Sequence, residues 1–286
     1  MIKVNISTGG ERNKTAYETA SSLIEIGIHN IELSGGLYDP NQLKNLSKLK
    51  DFAQFYIHNY FPPPSEAFVM NLASLDQDIA KLTIEHIKRA IRLSSKFESN
   101  VYSFHAGFLI DLKPDELGKR VVSRSLVNRD NAMFKFIERL NLLDNYAQSH
   151  GVKLLIENNV LSKNNLHEFK CDPFLMANSS DSQEIMSNTS DNVGMLLDVA
   201  HLKVSANSLG YNPVDFLQAH DKWIEAYHLS DNDGTKDNNQ IVEKDSWFWP
   251  YLKHDIDFVT LEVYNCSLKQ LLNQHRLVNN LLGNYK

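Results

Sequence analysis

The sequence predicts an α/β fold in which eight strands alternate with helices and close into a (β/α)8 TIM barrel, a single domain over residues 1–286. Short β-rich segments recur eight times, apolar residues at helical spacing lie between them, and 286 residues suit eight such units. The pairing is expected to be parallel because each crossover needs a helix to return the chain. An open doubly wound sheet is the alternative, but no GxGxxG or GxxxxGK[ST] pattern follows the first strand.

The predicted strands are short runs rich in β-branched and other apolar residues, bounded by polar or glycine-containing turns. In chain order they are residues 2–7, 29–33, 53–58, 101–105, 153–157, 194–198, 224–228 and 258–262. No low-complexity segment and no linker rich in proline, glycine or serine interrupts them.

The predicted helices carry apolar residues three and four positions apart. They cover residues 15–26, 75–93, 134–147, 214–219 and 268–282, with a shorter and weaker pattern at 39–49. The first of them opens with Thr15 followed by Glu18, the spacing of a capping box.

Composition narrows the class of protein. With a net charge of −6, the protein lacks the overall basic surface that generic nucleic-acid binding requires. A local basic strip is still compatible with this net charge. Cys171 and Cys266 lie far apart without CxxC spacing, as expected for free thiols in a reducing compartment. The N-terminal apolar run is too short for a signal peptide, and no run approaches the roughly 18 apolar residues of a membrane span. We therefore expect a cytoplasmic protein without a membrane partner.

Six consecutive predicted strands, the third to the eighth, end in a side chain that can bind metal or transfer protons. These residues are His58, His105, Glu157, Asp198, His228 and Glu262. Each alone is explained by a hydrogen-bonded strand end or a charge at the rim, but active sites of parallel barrels form where these strand ends converge. Nitrogen and oxygen donors suit Zn²⁺, Mn²⁺, Co²⁺ or Fe²⁺, and a cation removes the repulsion among buried carboxylates. The pattern therefore predicts a divalent-metal site.

The segments FHAG, LLIENN, LLDVAH and HLSDNDG, in this order and at strand ends, resemble the xylose isomerase-like TIM-barrel superfamily. That group includes sugar isomerases and epimerases, inosose dehydratases and endonuclease IV-type AP endonucleases, and the resemblance covers nearly the whole chain. It implies four metal ligands, which are Glu157, Asp198, His228 and Glu262. It also implies that His58 and His105 hold additional metal or contact substrate, and that His201 contacts substrate or an additional metal.

The endonuclease branch differs from this sequence at one motif. There an Asp-x-His sequence follows the seventh-strand histidine, whereas here Asp237 is followed by Asn238 and Asn239. The most basic stretch contains Lys119, Arg120, Arg124 and Arg129, which favours a solvated helical face over a phosphate-binding site. Nucleic acid is therefore not the expected partner.

The function that the resemblance implies is a divalent-metal-dependent isomerase or epimerase of a sugar or sugar phosphate, with Zn, Mn or Co as the ion. Glu157 and Glu262 are expected to transfer the proton through an enediolate. Five residues are candidates for contacting substrate: His201, His58, His105, Glu32 at the pocket rim, and Lys236. The aromatic residues Trp247 and Trp249 fit a pocket wall or the core equally well.

Three other functions remain open at this point. A metal-dependent polyol dehydratase would use the same ligands, an endonuclease IV-like phosphodiesterase would use more metal, and a degenerate barrel would bind a ligand without catalysis. The expected partner is a small-molecule carbohydrate, and a homodimer is the default assembly.

Overall fold

The computed structural model describes residues 1–11, 13–117, 119 and 121–284. Eight parallel strands form one closed barrel in sequence order, with the eighth strand paired to the first. They are β1 (Lys3–Ser7), β2 (Asn30–Ser34), β3 (Gln54–His58), β4 (Val101–His105), β5 (Lys153–Glu157), β6 (Val193–Asp198), β7 (Ile224–Leu229) and β8 (Phe258–Leu261). The closed order confirms the predicted (β/α)8 barrel and excludes the open sheet.

Nine α-helices lie outside the strands in the part of the chain that the structure describes. They are α1 (Ala16–Glu25), α2 (Gln42–Leu46), α3 (Gln77–Lys96), α4 (Arg129–Gln148), α5 (Lys163–Phe169), α6 (Ser179–Ser187), α7 (Val199–Leu209), α8 (Pro213–His220) and α9 (Leu268–Leu281). The capping box of Thr15 and Glu18 is present at α1. Among these described residues no helix is both long and apolar enough to cross a bilayer.

The helix prediction missed α5, α6 and α7. Helix α6 (SSDSQEIMS) is mostly polar, and α7 is buried over most of its first two turns, so neither presents a clear apolar stripe on one face. Asp198 ends β6 and also caps α7, because its Oδ1 atom accepts the backbone N–H groups of Ala200 and His201.

The basic stretch before α4 does not form the expected solvated helical face. Residues 121–128 have no helical structure, and α4 begins only at Arg129. Arg124 pairs with Glu116 at 2.8 Å, and Arg129 pairs with Asp181. Arg120 lies outside the described residues. The two arginines of this stretch that the structure describes, Arg124 and Arg129, thus form ion pairs within the protein.

The barrel interior is layered, because side chains two positions apart on a strand point to the same face. A lower layer closes the barrel with six packed residues, namely Tyr56, Val101, Leu155, Leu196, Ala226 and Phe258. Two positions further along the strands stand His58, Glu157, Asp198 and His228. The apolar layer therefore closes the barrel directly below these polar residues, and we call it the floor.

His86 on α3 provides a pH-dependent contribution to stability. It is buried against the rings of Tyr60 and Phe68, and burial lowers its pKa to about 4. The folded protein therefore binds this proton more weakly than the unfolded chain, whose value is about 6.5. The contribution is complete above about pH 6.5 and is lost as the pH falls towards 4.

We expect His86→Phe to lose less stability than the wild type on acidification, by about 2 kcal/mol between about pH 7.5 and about pH 5. The substitution does not leave the carbonyl of Asn59 without a donor. This carbonyl lies 3.3 Å from His86 Nε2, but it also accepts the Tyr102 hydroxyl at 2.8 Å. Urea unfolding of both proteins at the two pH values measures the difference. Equal losses in both proteins would show that His86 does not carry this dependence.

Candidate metal centre

Four predicted ligands meet at the C-terminal end of the barrel. Glu157, Asp198, His228 and Glu262 each offer one ligand atom, and these four atoms all lie within 4.8 Å of one another. His228 Nδ1 is 3.2 Å from Glu157 Oε1, 3.1 Å from Glu262 Oε2 and 3.9 Å from Asp198 Oδ2. Three strands and the residue after a fourth thus bring three carboxylates around one imidazole nitrogen.

Several atoms of this cluster are buried without a hydrogen-bond partner. They are both carboxylate oxygens of Glu157, Oδ2 of Asp198 and Nδ1 of His228. Buried polar atoms are normally hydrogen-bonded, and an isolated buried carboxylate is costly. A divalent cation between these atoms would satisfy them, so the donor set fits such an ion.

The charged groups of the cluster shift one another's pKa values. Burial favours the neutral form of Glu157, but His105, His228 and His58 outweigh it and bring its pKa well below the usual 4.5. Burial raises the pKa of Asp198 to about 7. Although burial opposes its charge, Glu32, Glu157 and Glu262 raise the pKa of His228 well above 6.5. A proton on His228 thus supplies the positive charge that a cation would replace, so binding of an ion here would be coupled to proton release.

A second group shares Glu157 with the first. His58 Nε2 lies 3.4 Å and His105 Nδ1 lies 3.2 Å from Glu157 Oε2, whereas Oε1 faces His228. Burial lowers the pKa of His105 to about 4, which keeps this imidazole neutral and able to bind metal or accept a hydrogen bond. Glu157 therefore lies between two groups of possible ligands, with one oxygen towards each.

His201 and Asp237 form the outer edge of the cluster. His201 donates Nδ1–H to the carbonyl of Asn158 at 3.0 Å, which leaves Nε2 3.3 Å from Asp237 Oδ2 and 3.8 Å from Asp198 Oδ2. Asp237 was not predicted as a site residue. Its position in a motif that lacks the expected histidine was the signal that could have identified it.

Glu32 does not lie at the pocket rim, and that expectation is wrong. The residue is only 1% exposed, and its Oε2 accepts His228 Nε2–H at 2.9 Å and the Thr260 hydroxyl at 3.0 Å. It lies deeper because β2 and β3 pair with Glu32 beside Tyr56, a residue of the floor. The Nε2 contact leaves Nδ1 of His228 facing the carboxylates.

The remaining candidates lie away from the cluster. Lys236 is exposed in the loop after β7. The pKa of Asp233 is lowered mainly by its hydrogen bonds with Thr235 and to a smaller extent by Lys236. Trp247 and Trp249 are half-buried and pack against the main hydrophobic core. For these two tryptophans, the structure supports a place in the core over a place in the pocket wall.

Comparison with known proteins agrees with this architecture. A family model described as a xylose isomerase-like TIM barrel matches residues 22–262. A Methanocaldococcus jannaschii protein named MJ1311 is 28% identical over 229 residues, which cover 77% of this chain and 68% of that protein.

Similar solved structures include sugar epimerases. A D-tagatose 3-epimerase-like protein has a TM-score of 0.71 at 20% identity, with 98% of each chain covered. An L-ribulose 3-epimerase has a TM-score of 0.68 at 14% identity, with 99% of this chain and 94% of that chain covered. At these identities the likeness establishes the fold.

Proposed function

The chain belongs to the xylose isomerase-like TIM-barrel family, and from this premise we propose that it is a divalent-metal-dependent isomerase or epimerase of a sugar or sugar phosphate. The observation that carries the proposal is the cluster of Glu157, Asp198, His228 and Glu262, in which buried ligand atoms of the first three residues lack hydrogen bonds. These four residues would hold the ion, and Zn²⁺, Mn²⁺ and Co²⁺ all suit the donors. The sugar epimerases among the similar structures support the same reaction class.

The chemistry follows from two carboxylates beside one site. When bound, a divalent cation polarises the carbonyl and neighbouring hydroxyl oxygens of a polyhydroxy carbonyl compound, which acidifies the adjacent C–H. Glu157 and Glu262 would act on opposite faces of that carbon. One removes the proton, and either the same residue returns it or the other, after taking up a proton from solvent, delivers one. The positive charge of His228 helps to keep Glu157 ionised, as a base requires. For Glu262, burial is outweighed chiefly by His228, and its pKa falls to about 2.

The histidines would orient the substrate. The side chain of His105 is 28% exposed and is the most accessible member of the predicted histidines, whereas His201 is 7% exposed. Both would contact a substrate that enters the cluster from the C-terminal end of the barrel. His58, at 2%, lies deeper and would contact only the innermost substrate oxygen or a second ion.

The test of this function is deuterium incorporation from D2O. Purified protein loaded in turn with Mn²⁺, Co²⁺ and Zn²⁺ is incubated with ketoses, aldoses and their phosphates, and products are followed by NMR and mass spectrometry. We expect deuterium at one carbon next to the carbonyl of a single substrate class, together with the epimer or isomer. Loss of water from a polyol would favour the dehydratase instead. No exchange with any sugar would contradict the proposal.

A second function, hydrolysis of a phosphoester, is favoured by one observation. The group of His58, His105 and Glu157 could provide ligands for a second ion, and His201 with Asp237 extends the cluster further. Two-metal sites activate water for phosphoester cleavage. Metal-dependent cleavage of an abasic duplex, with no exchange in sugars, would replace the first proposal with this one.

A further inference from the structure

We propose that Tyr264 is a positioning residue that holds the carboxylate of Glu262 in its reactive orientation. The inference rests on the proposed function, in which Glu262 exchanges a proton with the substrate. It assigns a role to a residue that the sequence pattern did not single out and that lies two positions beyond Glu262.

Glu262 lies just outside the regular part of the barrel. Strand β8 ends at Leu261, and the backbone N–H of Glu262 makes one further ladder bond, to Leu229 at 3.1 Å. A glutamate side chain has several rotatable bonds, so its two oxygens need fixed partners to keep one orientation. One oxygen, Oε2, faces His228 Nδ1 at 3.1 Å. The other, Oε1, accepts the hydroxyl of Tyr264 at 2.6 Å.

Tyr264 is itself held by two segments, the loop after β7 and the turn after β1. Its backbone N–H donates to the carbonyl of Asn239 at 2.9 Å, which ties it to the loop after β7. The ring lies against the turn after β1, where a Cβ added at Gly10 would be 3.0 Å from Tyr264 Cδ1. A Cβ added at Gly9 would be 3.1 Å from the hydroxyl oxygen. Two adjacent glycines thus leave the space that the ring occupies.

This arrangement gives the two oxygens of Glu262 separate tasks. Because Oε2 faces the cluster that would hold the ion, Oε1 is the oxygen available for proton transfer. A carboxylate oxygen has two lone pairs, so Oε1 can accept the tyrosine hydroxyl and still take a proton from the substrate. A short hydrogen bond to a charged group is among the stronger ones in proteins. Loss of this bond would let Oε1 rotate out of line with the reacting carbon.

The decisive variant is Tyr264→Phe, which removes only the hydroxyl. Tyr211→Phe is the matched control, because its hydroxyl donates to the carbonyl of Ala177 at 3.0 Å, outside the ligand cluster. We expect Tyr264→Phe to retain its metal and to lower kcat about 10- to 100-fold with little change in KM. Tyr211→Phe is expected to keep kcat within about twofold. Gly10→Ala, which crowds the ring, should give a smaller fall in kcat than Tyr264→Phe.

Two readouts separate positioning from a general structural defect. Crystal structures of the wild type and Tyr264→Phe compare the orientation of the Glu262 carboxylate directly. Deuterium incorporation into each recovered epimer then compares the two glutamates, because each acts on one face. We expect a rotated carboxylate and a selective slowing for the epimer that Glu262 deprotonates.

An unchanged carboxylate, or equal slowing for both epimers, would overturn the proposal. The outcome for the proposed function is read separately. Absence of exchange in the wild type with every sugar contradicts that function, whereas the crystallographic comparison still decides whether Tyr264 orients Glu262.

Discussion

Glu157→Gln is expected to lower kcat by about 1,000-fold or more, the largest effect of any single substitution at this site. The two oxygens of Glu157 face different groups, Oε1 towards His228 and Oε2 towards His58 and His105. An amide keeps the shape of the side chain but removes the negative charge of the carboxylate that faces these imidazoles. It also removes the base proposed for one face of the substrate. Steady-state assays on the substrate identified by deuterium exchange measure the loss.

Glu225→Gln is the matched control for this substitution. Glu225 also lies on a barrel strand, but it forms an ion pair with Lys153 and is 37% exposed. A partly exposed pair contributes about 1 kcal/mol or less, so this variant should fold and keep its activity within about twofold. If Glu157→Gln retained more than about a tenth of the wild-type kcat, Glu157 would have no role in proton transfer.

Glu32→Gln is expected to weaken metal binding by about 10-fold or more while the barrel remains folded. The carboxylate accepts Nε2–H of His228 and thereby presents Nδ1 to the other ligands. The neutral amide is a weaker acceptor and makes the imidazole a poorer ligand. Competition with a chromogenic chelator measures the affinity, and circular dichroism verifies the fold.

The outcome of this experiment depends on affinity and not on activity. Glu225→Gln serves again as the control and should bind metal like the wild type. Equal affinity in Glu32→Gln and the wild type would mean that the contact of Glu32 with His228 does not tune the ligand.

The convergence of the six strand-end residues was predictable because it depends only on strand direction. In a parallel barrel all C-terminal strand ends meet at one face, so a ligand-type residue at each end suffices to predict a cluster. The depth of each side chain was not predictable, because it depends on the stagger between strands. Glu32 pairs with Tyr56 and not with His58, and this register places it beneath the cluster.

Loop residues were the least predictable part of the site. Lys236 and Asp237 are neighbours in sequence, yet Asp237 meets His201 and Lys236 is exposed to solvent. The loop is shaped by a bridge between Asp231 and Gln240, which no periodic pattern reveals. The contact of Tyr264 with Gly9 and Gly10 joins residues from opposite ends of the chain, so it too required the structure.

The metal content of the purified protein is the most direct test of whether the cluster around Glu157 and His228 holds a divalent ion. Elemental mass spectrometry is applied to the wild type, Glu157→Gln and Glu225→Gln after loading with Mn²⁺, Co²⁺ or Zn²⁺ and removal of free ion. We expect at least about one ion per chain in the wild type and in Glu225→Gln, and substantially less in Glu157→Gln. A wild type that retains none of these ions, or a Glu157→Gln variant that retains as much as the wild type, would contradict this expectation.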